Sequence, residues 1–135
     1  MEYAVSIELR YLIYSALLML AIWVPYILAH INQVGFVEAL SYPDEVLMPD
    51  WARWLKRAHY NLVENLAPFA VAVLAAEIIG LHTATTTACA MIFFWARVAH
   101  PVAVMARIWG TRTLAFAVGW AATIVYLWVV LTAAV

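Results

Sequence analysis

Long uncharged runs divide this chain into four segments. Tyr11 to Ala29 (YLIYSALLMLAIWVPYILA) carries no charge, and Leu66 to Leu81 carries only Glu77. Thr83 to Ala96 is uncharged and continues past Arg97 through VAHPVAVMA; Leu114 to Val135 is uncharged throughout. A helix that crosses a bilayer needs about 20 mostly apolar residues, so each run predicts one span. With their polar flanks, the expected helices cover residues 6–30, 51–80, 83–108 and 112–134 of one domain, 1–135.

The punctuation agrees with that division. Pro25 lies near the far end of the first helix, and residues 32–50 (NQVGFVEALSYPDEVLMPD) form the one long expected loop, marked by Pro43, Pro49 and Asp50. Asp50 is a good N-cap for the second helix, which opens with WARWLKRAHYN and carries Pro68, a residue that bends helices. Pro101 falls late in the third helix, and Trp109 and Gly110 mark a short turn before the fourth. Small residues recur at spacing four in two rows, Ala72/Ala76/Gly80 and Ala115/Gly119/Thr123. Such rows serve an oligomer seam or packing within one bundle equally well.

Composition narrows the class. Of 135 residues, 68% are hydrophobic and 11% charged, with a mean hydropathy of +0.93. Soluble domains have about 45–50% apolar and about 25% charged residues, so a water-facing fold of this size is excluded. The fold class is an all-α integral membrane protein, a bundle of four transmembrane helices. The start, MEYAVSIELR, is acidic and the run after it is too long for a cleavable signal. Lys and Arg gather in the loops between spans one and two and between spans three and four: Arg53, Lys56, Arg57, Arg107 and Arg112, against Arg10 on the other side. By the positive-inside rule both termini face away from the cytoplasm, and the compact chain suits a bacterial inner membrane. The net charge of −1 gives no footing for a nucleic-acid partner. The four histidines lie on different segments without ligand spacing, so no metal site is expected. Cys89 reads as a small core residue, Glu77 and His82 as solvated residues near the far interface, and Trp51 and Trp54 as interface anchors.

The polar residues that remain cluster at one end. In RAHYNLVENLAPF, residues 57–69, helical spacing puts Arg57, Asn61 and Glu64 on one row with Arg53 and Pro68. His59 lies off that row and points elsewhere, towards a neighbouring subunit. The third helix adds Arg97, His100, Val104 and Arg107, and Arg112 begins the fourth. A charge at mid-span costs about 2.5–3.5 kcal/mol on insertion scales. An Arg97–Glu64 clamp between helices would offset part of that. It would also leave Arg57 and Arg112 as excess cations, which asks for an anionic guest with carboxylates for the guanidiniums.

RAHYNLVENLAPF, WARVAH and TRTLAFAVG together resemble the MAPEG family, the membrane-associated proteins in eicosanoid and glutathione metabolism, and its microsomal glutathione transferase and prostaglandin E synthase branch in particular. The resemblance covers residues from about 50 to 125. It implies a homotrimer of four-helix subunits with glutathione as co-substrate, bound between subunits near the cytoplasmic side. By motif position, Arg57, His59, Asn61, Glu64, Arg97 and His100 would bind glutathione, and Arg112 would hold its thiolate. The partners implied are a lipophilic small-molecule substrate, arriving from the bilayer, and membrane lipids. The activity implied is that of a transferase or peroxidase acting on lipophilic electrophiles or lipid hydroperoxides. The chain departs from the family pattern at Val104, Ala99 and Phe116, where members have tyrosines, and near His30, where the branch tends to have an arginine. Those departures keep open a non-catalytic lipid-binding or scaffold protein on the same fold. A transport subunit fits less well, because the intramembrane charges gather at one end.

Overall fold

The structure is a computed structural model, and it describes residues 5–41 and 47–133. Five helices follow in order: α1 (Ile7–Val34), α2 (Phe36–Ala39), α3 (Asp50–Ile79), α4 (Ala84–Ala106) and α5 (Thr111–Ala133). All but α2 are long and apolar enough to cross a membrane. The protein is a multi-pass integral membrane protein built as a four-helix bundle. At 1.5 Å per residue, the 28 residues of α1 and 30 of α3 extend about 42 and 45 Å, well past a hydrocarbon core of about 30 Å. The surplus on α3 is its basic, Trp-rich start.

Local chemistry sets the helix ends. Ser6 caps α1, its hydroxyl accepting from the Leu9 amide at 3.0 Å. Thr83 caps α4 in a reciprocal box with Thr86. Gly80 ends α3 in the left-handed conformation, φ 67°, which lets the Leu81 amide reach back to the Ala76 carbonyl at 2.9 Å. Two expectations need correction here. The first helix runs on through Asn32 to Val34, and α2 occupies part of the segment expected to be loop. Asp50 is not the N-cap of α3; Pro49 holds that place with no side-chain bond, and Asp50, inside the first turn, pairs with Arg53. Pro43 lies outside the described residues.

α3 and α4 form the centre of the bundle. α1 packs on both, and α5 packs chiefly on α4 and also on α3. In lipid the hydrophobic effect between helices is weak, so close packing of small residues and interhelical hydrogen bonds carry the association. The core fits that account: Ala72, Ala76, Ala90 and Ala122 are buried between Phe69, Phe93 and Tyr126. Phe69 and Phe93 stack at 3.8 Å between ring centres, joining α3 to α4. Cys89 is buried in the same cluster. Ala72 and Ala76 of one small-residue row, and Gly119 and Thr123 of the other, are therefore spent within the bundle.

Polar bonds lock the end where α1 begins. Glu8 is 2% exposed and accepts from the hydroxyls of Thr86 at 2.7 Å and Thr87 at 2.9 Å, both on α4. His82 stands 3.6 Å from Glu8 and 4.0 Å from Glu77, and Ser6 donates to Glu77. Glu77 is thus half-buried in an interhelical knot and not simply solvated, whereas His82, at the edge of that knot, is exposed as its position suggests.

Candidate functional site

At the opposite end, the first turns of α3, the last turns of α4 and the start of α5 surround a cavity of about 1220 Å³. Each helix brings cations there. Arg57 comes from α3, Arg107 is the residue that caps α4, and Arg112 sits in the first turn of α5. Asn61 and His100 add polar groups, and Thr113 a hydroxyl. Trp54, Val104, Ile108, Trp109, Leu114 and Phe116 supply apolar wall. Among the described residues that line it, none is Asp or Glu. Three guanidiniums thus share a partly apolar cavity with no carboxylate among its described lining residues.

The turn that carries two of these arginines is locally constrained. Arg107 adopts φ 55°, the left-handed region that side chains other than glycine enter at a cost, and its amide closes α4 onto the Ala103 carbonyl at 3.2 Å. Its guanidinium lies over the Trp54 ring, 4.6 Å from the centre. Trp54 is therefore a wall of the cavity as well as an interface residue, a role its sequence position alone does not give.

Arg97 stands behind the cavity wall. It is 1% exposed and donates from Nη1 to Asn61 Oδ1 at 2.9 Å and from Nη2 to the Phe116 carbonyl at 3.2 Å. Its guanidinium lies 5.1 Å from the Phe93 ring centre and 5.6 Å from that of Phe116. Its Nε has no partner among the described residues. The expected clamp to Glu64 is not made. Glu64 shares the broad face of Asn61, but it lies almost a turn further along α3, exposed and outside the cavity.

His59 is also elsewhere. It is buried against α1, with its Nδ1 2.8 Å from the Tyr26 hydroxyl. The expected direction, towards a neighbouring subunit, is corrected: this histidine ties α3 to α1. His30, near which the branch tends to have an arginine, is held by the Leu47 carbonyl at 2.7 Å and is not among the residues lining the cavity. Of the family's tyrosine positions, Val104 and Phe116 line it and Ala99 does not. The structure thus brings together Arg57, Asn61, His100 and Arg112, puts Arg97 one layer behind them, and leaves His59 and Glu64 on other faces. Trp54 and Arg107 join the site unassigned. Spacing already puts Arg107 in the polar stripe of the third helix, whereas the signal for Trp54, its ring under Arg107, exists only once α3 and α4 are packed.

The fold and this cavity define a class: a four-helix membrane protein with a cationic cleft at one end of the bundle. A family model covers nearly the whole of it, and the chain belongs to the MAPEG family, matched over residues 11–132. No curated protein and no solved structure gives a significant match.

Proposed function

We propose that this protein is a glutathione-dependent membrane transferase or peroxidase acting on lipophilic electrophiles or lipid hydroperoxides. The observation that carries the reading is the set Arg57, Arg107 and Arg112 around one cavity with no carboxylate among its described lining residues. Guanidiniums pair bidentately with carboxylates, and glutathione brings two of these. The cavity, at about 1220 Å³, exceeds the roughly 300–1,000 Å³ of a typical ligand pocket, which leaves space for a second, lipophilic reactant beside the peptide. Membership of the MAPEG family supports the same donor.

Each residue then has a task. Arg57 takes a peptide carboxylate, and Asn61 and His100 offer hydrogen bonds to the peptide. Arg112 lies in the first turn of α5, where its charge adds to the positive end of the helix dipole. Both favour a thiolate over a thiol, and the thiolate is the reactive form. Glutathione supplies the nucleophilic sulfur. The apolar wall of Trp54, Leu114 and Phe116 receives the hydrophobic reactant and keeps water back. Glu64, exposed on α3, serves the peptide's ammonium group where a neighbouring copy completes the site in a homotrimer. The arginine-rich end faces the cytoplasm and both termini face away from it.

Glutathione titration of the detergent-purified protein tests this reading. Saturable binding with thiolate ultraviolet absorbance in the wild type, and loss of that absorbance in Arg112→Ala, is the expected result. No thermal shift at millimolar glutathione overturns it. A second reading, a lipid-binding or scaffold protein, is favoured by one observation: Val104 and Phe116 line the cavity without a hydroxyl. It predicts co-purified lipid and silence in a conjugation assay.

A further inference from the structure

Gly119 is buried on α5, and its missing side chain leaves room for something specific. A Cβ built there would lie 2.5 Å from Arg97 Nη2, 2.9 Å from Nε and 3.0 Å from Cζ. The atoms in the way belong to a guanidinium, not to the backbone of the facing helix. The usual reason for a glycine in a membrane helix, close backbone approach, does not account for that contact.

The seat matters for what Arg97 reaches. From it the guanidinium touches two acceptors on different helices, Asn61 Oδ1 on α3 and the Phe116 carbonyl on α5, while the Phe93 and Phe116 rings flank it. A guanidinium is donor-only, so the Asn61 carboxamide must turn its oxygen to Arg97. Its two Nδ2 hydrogens are then the groups left to serve the cavity that Asn61 lines. Nδ2 has no partner among the described residues, and Asn65, the other amide nearby, is tied back to the Asn61 carbonyl at 2.7 Å. Arg97 thereby fixes Asn61 as a donor to the site.

We infer that Gly119 is a positioning residue for the cavity: the space it leaves seats Arg97, Arg97 fixes the Asn61 amide, and Asn61 presents hydrogen-bond donors to an acceptor oxygen of the bound anion. The inference rests on the cavity being the anion site proposed above. It adds that the site reads an acceptor at Asn61, and that this preference is set by a residue on α5 outside the cavity lining.

The obstructing atoms are the far end of a flexible side chain, so Gly119→Ala shifts Arg97 rather than separating the helices. Glutathione affinity is measured by calorimetry in a double-mutant cycle of Gly119→Ala and Asn61→Ala. The expected result is a dissociation constant raised about tenfold by Gly119→Ala alone, as for one lost hydrogen bond to a charged group, and by less than about twofold in the Asn61→Ala background. Independent effects of similar size in both backgrounds would falsify the proposal. A second readout needs no ligand. The chain has three asparagines, so selective nitrogen-15 labelling gives three side-chain amide pairs, with Asn61 assigned by its loss in Asn61→Ala. Gly119→Ala should move the Asn61 pair and leave that of Asn32 in place; an unmoved Asn61 pair overturns the inference. If the wild type binds no glutathione, the function proposed above fails and the resonances alone decide the positioning. If Gly119→Ala does not fold, Arg97→Lys, too short and single-headed to keep both contacts, carries both measurements with the same expected results.

Discussion

The guanidinium of Arg107 lies over the indole of Trp54, its central carbon 4.6 Å from the ring centre, and so joins the end of α4 to the start of α3 across the cavity mouth. Such a contact contributes about 0.5–1 kcal/mol at a partly exposed site, and it restrains a long side chain that would otherwise sample many rotamers. Trp54→Ala should therefore weaken glutathione binding about three- to fivefold, the equivalent of that energy, while Trp54→Phe recovers much of it. Calorimetry in detergent measures both. An unchanged affinity in Trp54→Ala would separate Arg107 from the site.

The bond between Tyr26 and His59 predicts the opposite pattern. The two groups are buried and 2.8 Å apart, linking α1 to α3 away from the cavity. Tyr26→Phe removes one partner and leaves His59 unsatisfied, at about 1–3 kcal/mol. Thermal unfolding should shift down by several degrees while glutathione affinity stays within about twofold, since one kcal/mol corresponds to about 2–8 °C over common domain sizes. A large loss of affinity with unchanged melting would restore His59 to the site.

How much of this could be read from the chain follows from the range of each interaction. The four spans were legible because hydropathy is a local property summed over about 20 residues, and the shared end of Arg57, Arg97 and Arg112 followed from span order alone. Rotational phase was not legible. Asn61 and Glu64 lie on the same broad face of α3, and only the packing of α4 shows that Arg97 meets the first. The same limit hid the partner of His59, 33 positions away on α1, and the dependence of Arg97 on Gly119. Motif resemblance gave Arg112 its place by position and helical spacing put Arg107 in the same polar cluster, but the seat of Arg107 over Trp54 depends on how α3 and α4 pack.

At the far end, Glu8 is the acceptor for two hydroxyls of α4 and the neighbour of His82. A buried acceptor of this kind holds the start of α1 against α4 more firmly than apolar contact does in lipid. Glu8→Ala should destabilise the bundle by about 2–3 kcal/mol, the range for lost hydrogen bonds to a charged group, and Glu8→Gln by less, because its amide oxygen still accepts. Chemical unfolding in mixed micelles reads the difference. Equal losses for the two variants would show that charge, not acceptance, is what Glu8 contributes.

The last prediction adds a group rather than removing one. Val104 lies one helical turn after His100, and both line the cavity. The cavity is large enough at about 1220 Å³ for a phenol at position 104 to extend into it without displacing the core, since Val104 is only half-buried. A tyrosine hydroxyl there could donate to a peptide carbonyl or to the sulfur, and one net hydrogen bond contributes about 0.5–1.5 kcal/mol. Val104→Tyr should tighten glutathione two- to tenfold, and Phe116→Tyr should do less, because the Phe116 ring is already engaged by Arg97 from behind. If Val104→Tyr leaves affinity unchanged while the wild type binds, the peptide lies towards Arg57 and Asn61, away from the last turn of α4, and the apolar wall around Val104 belongs to the hydrophobic reactant.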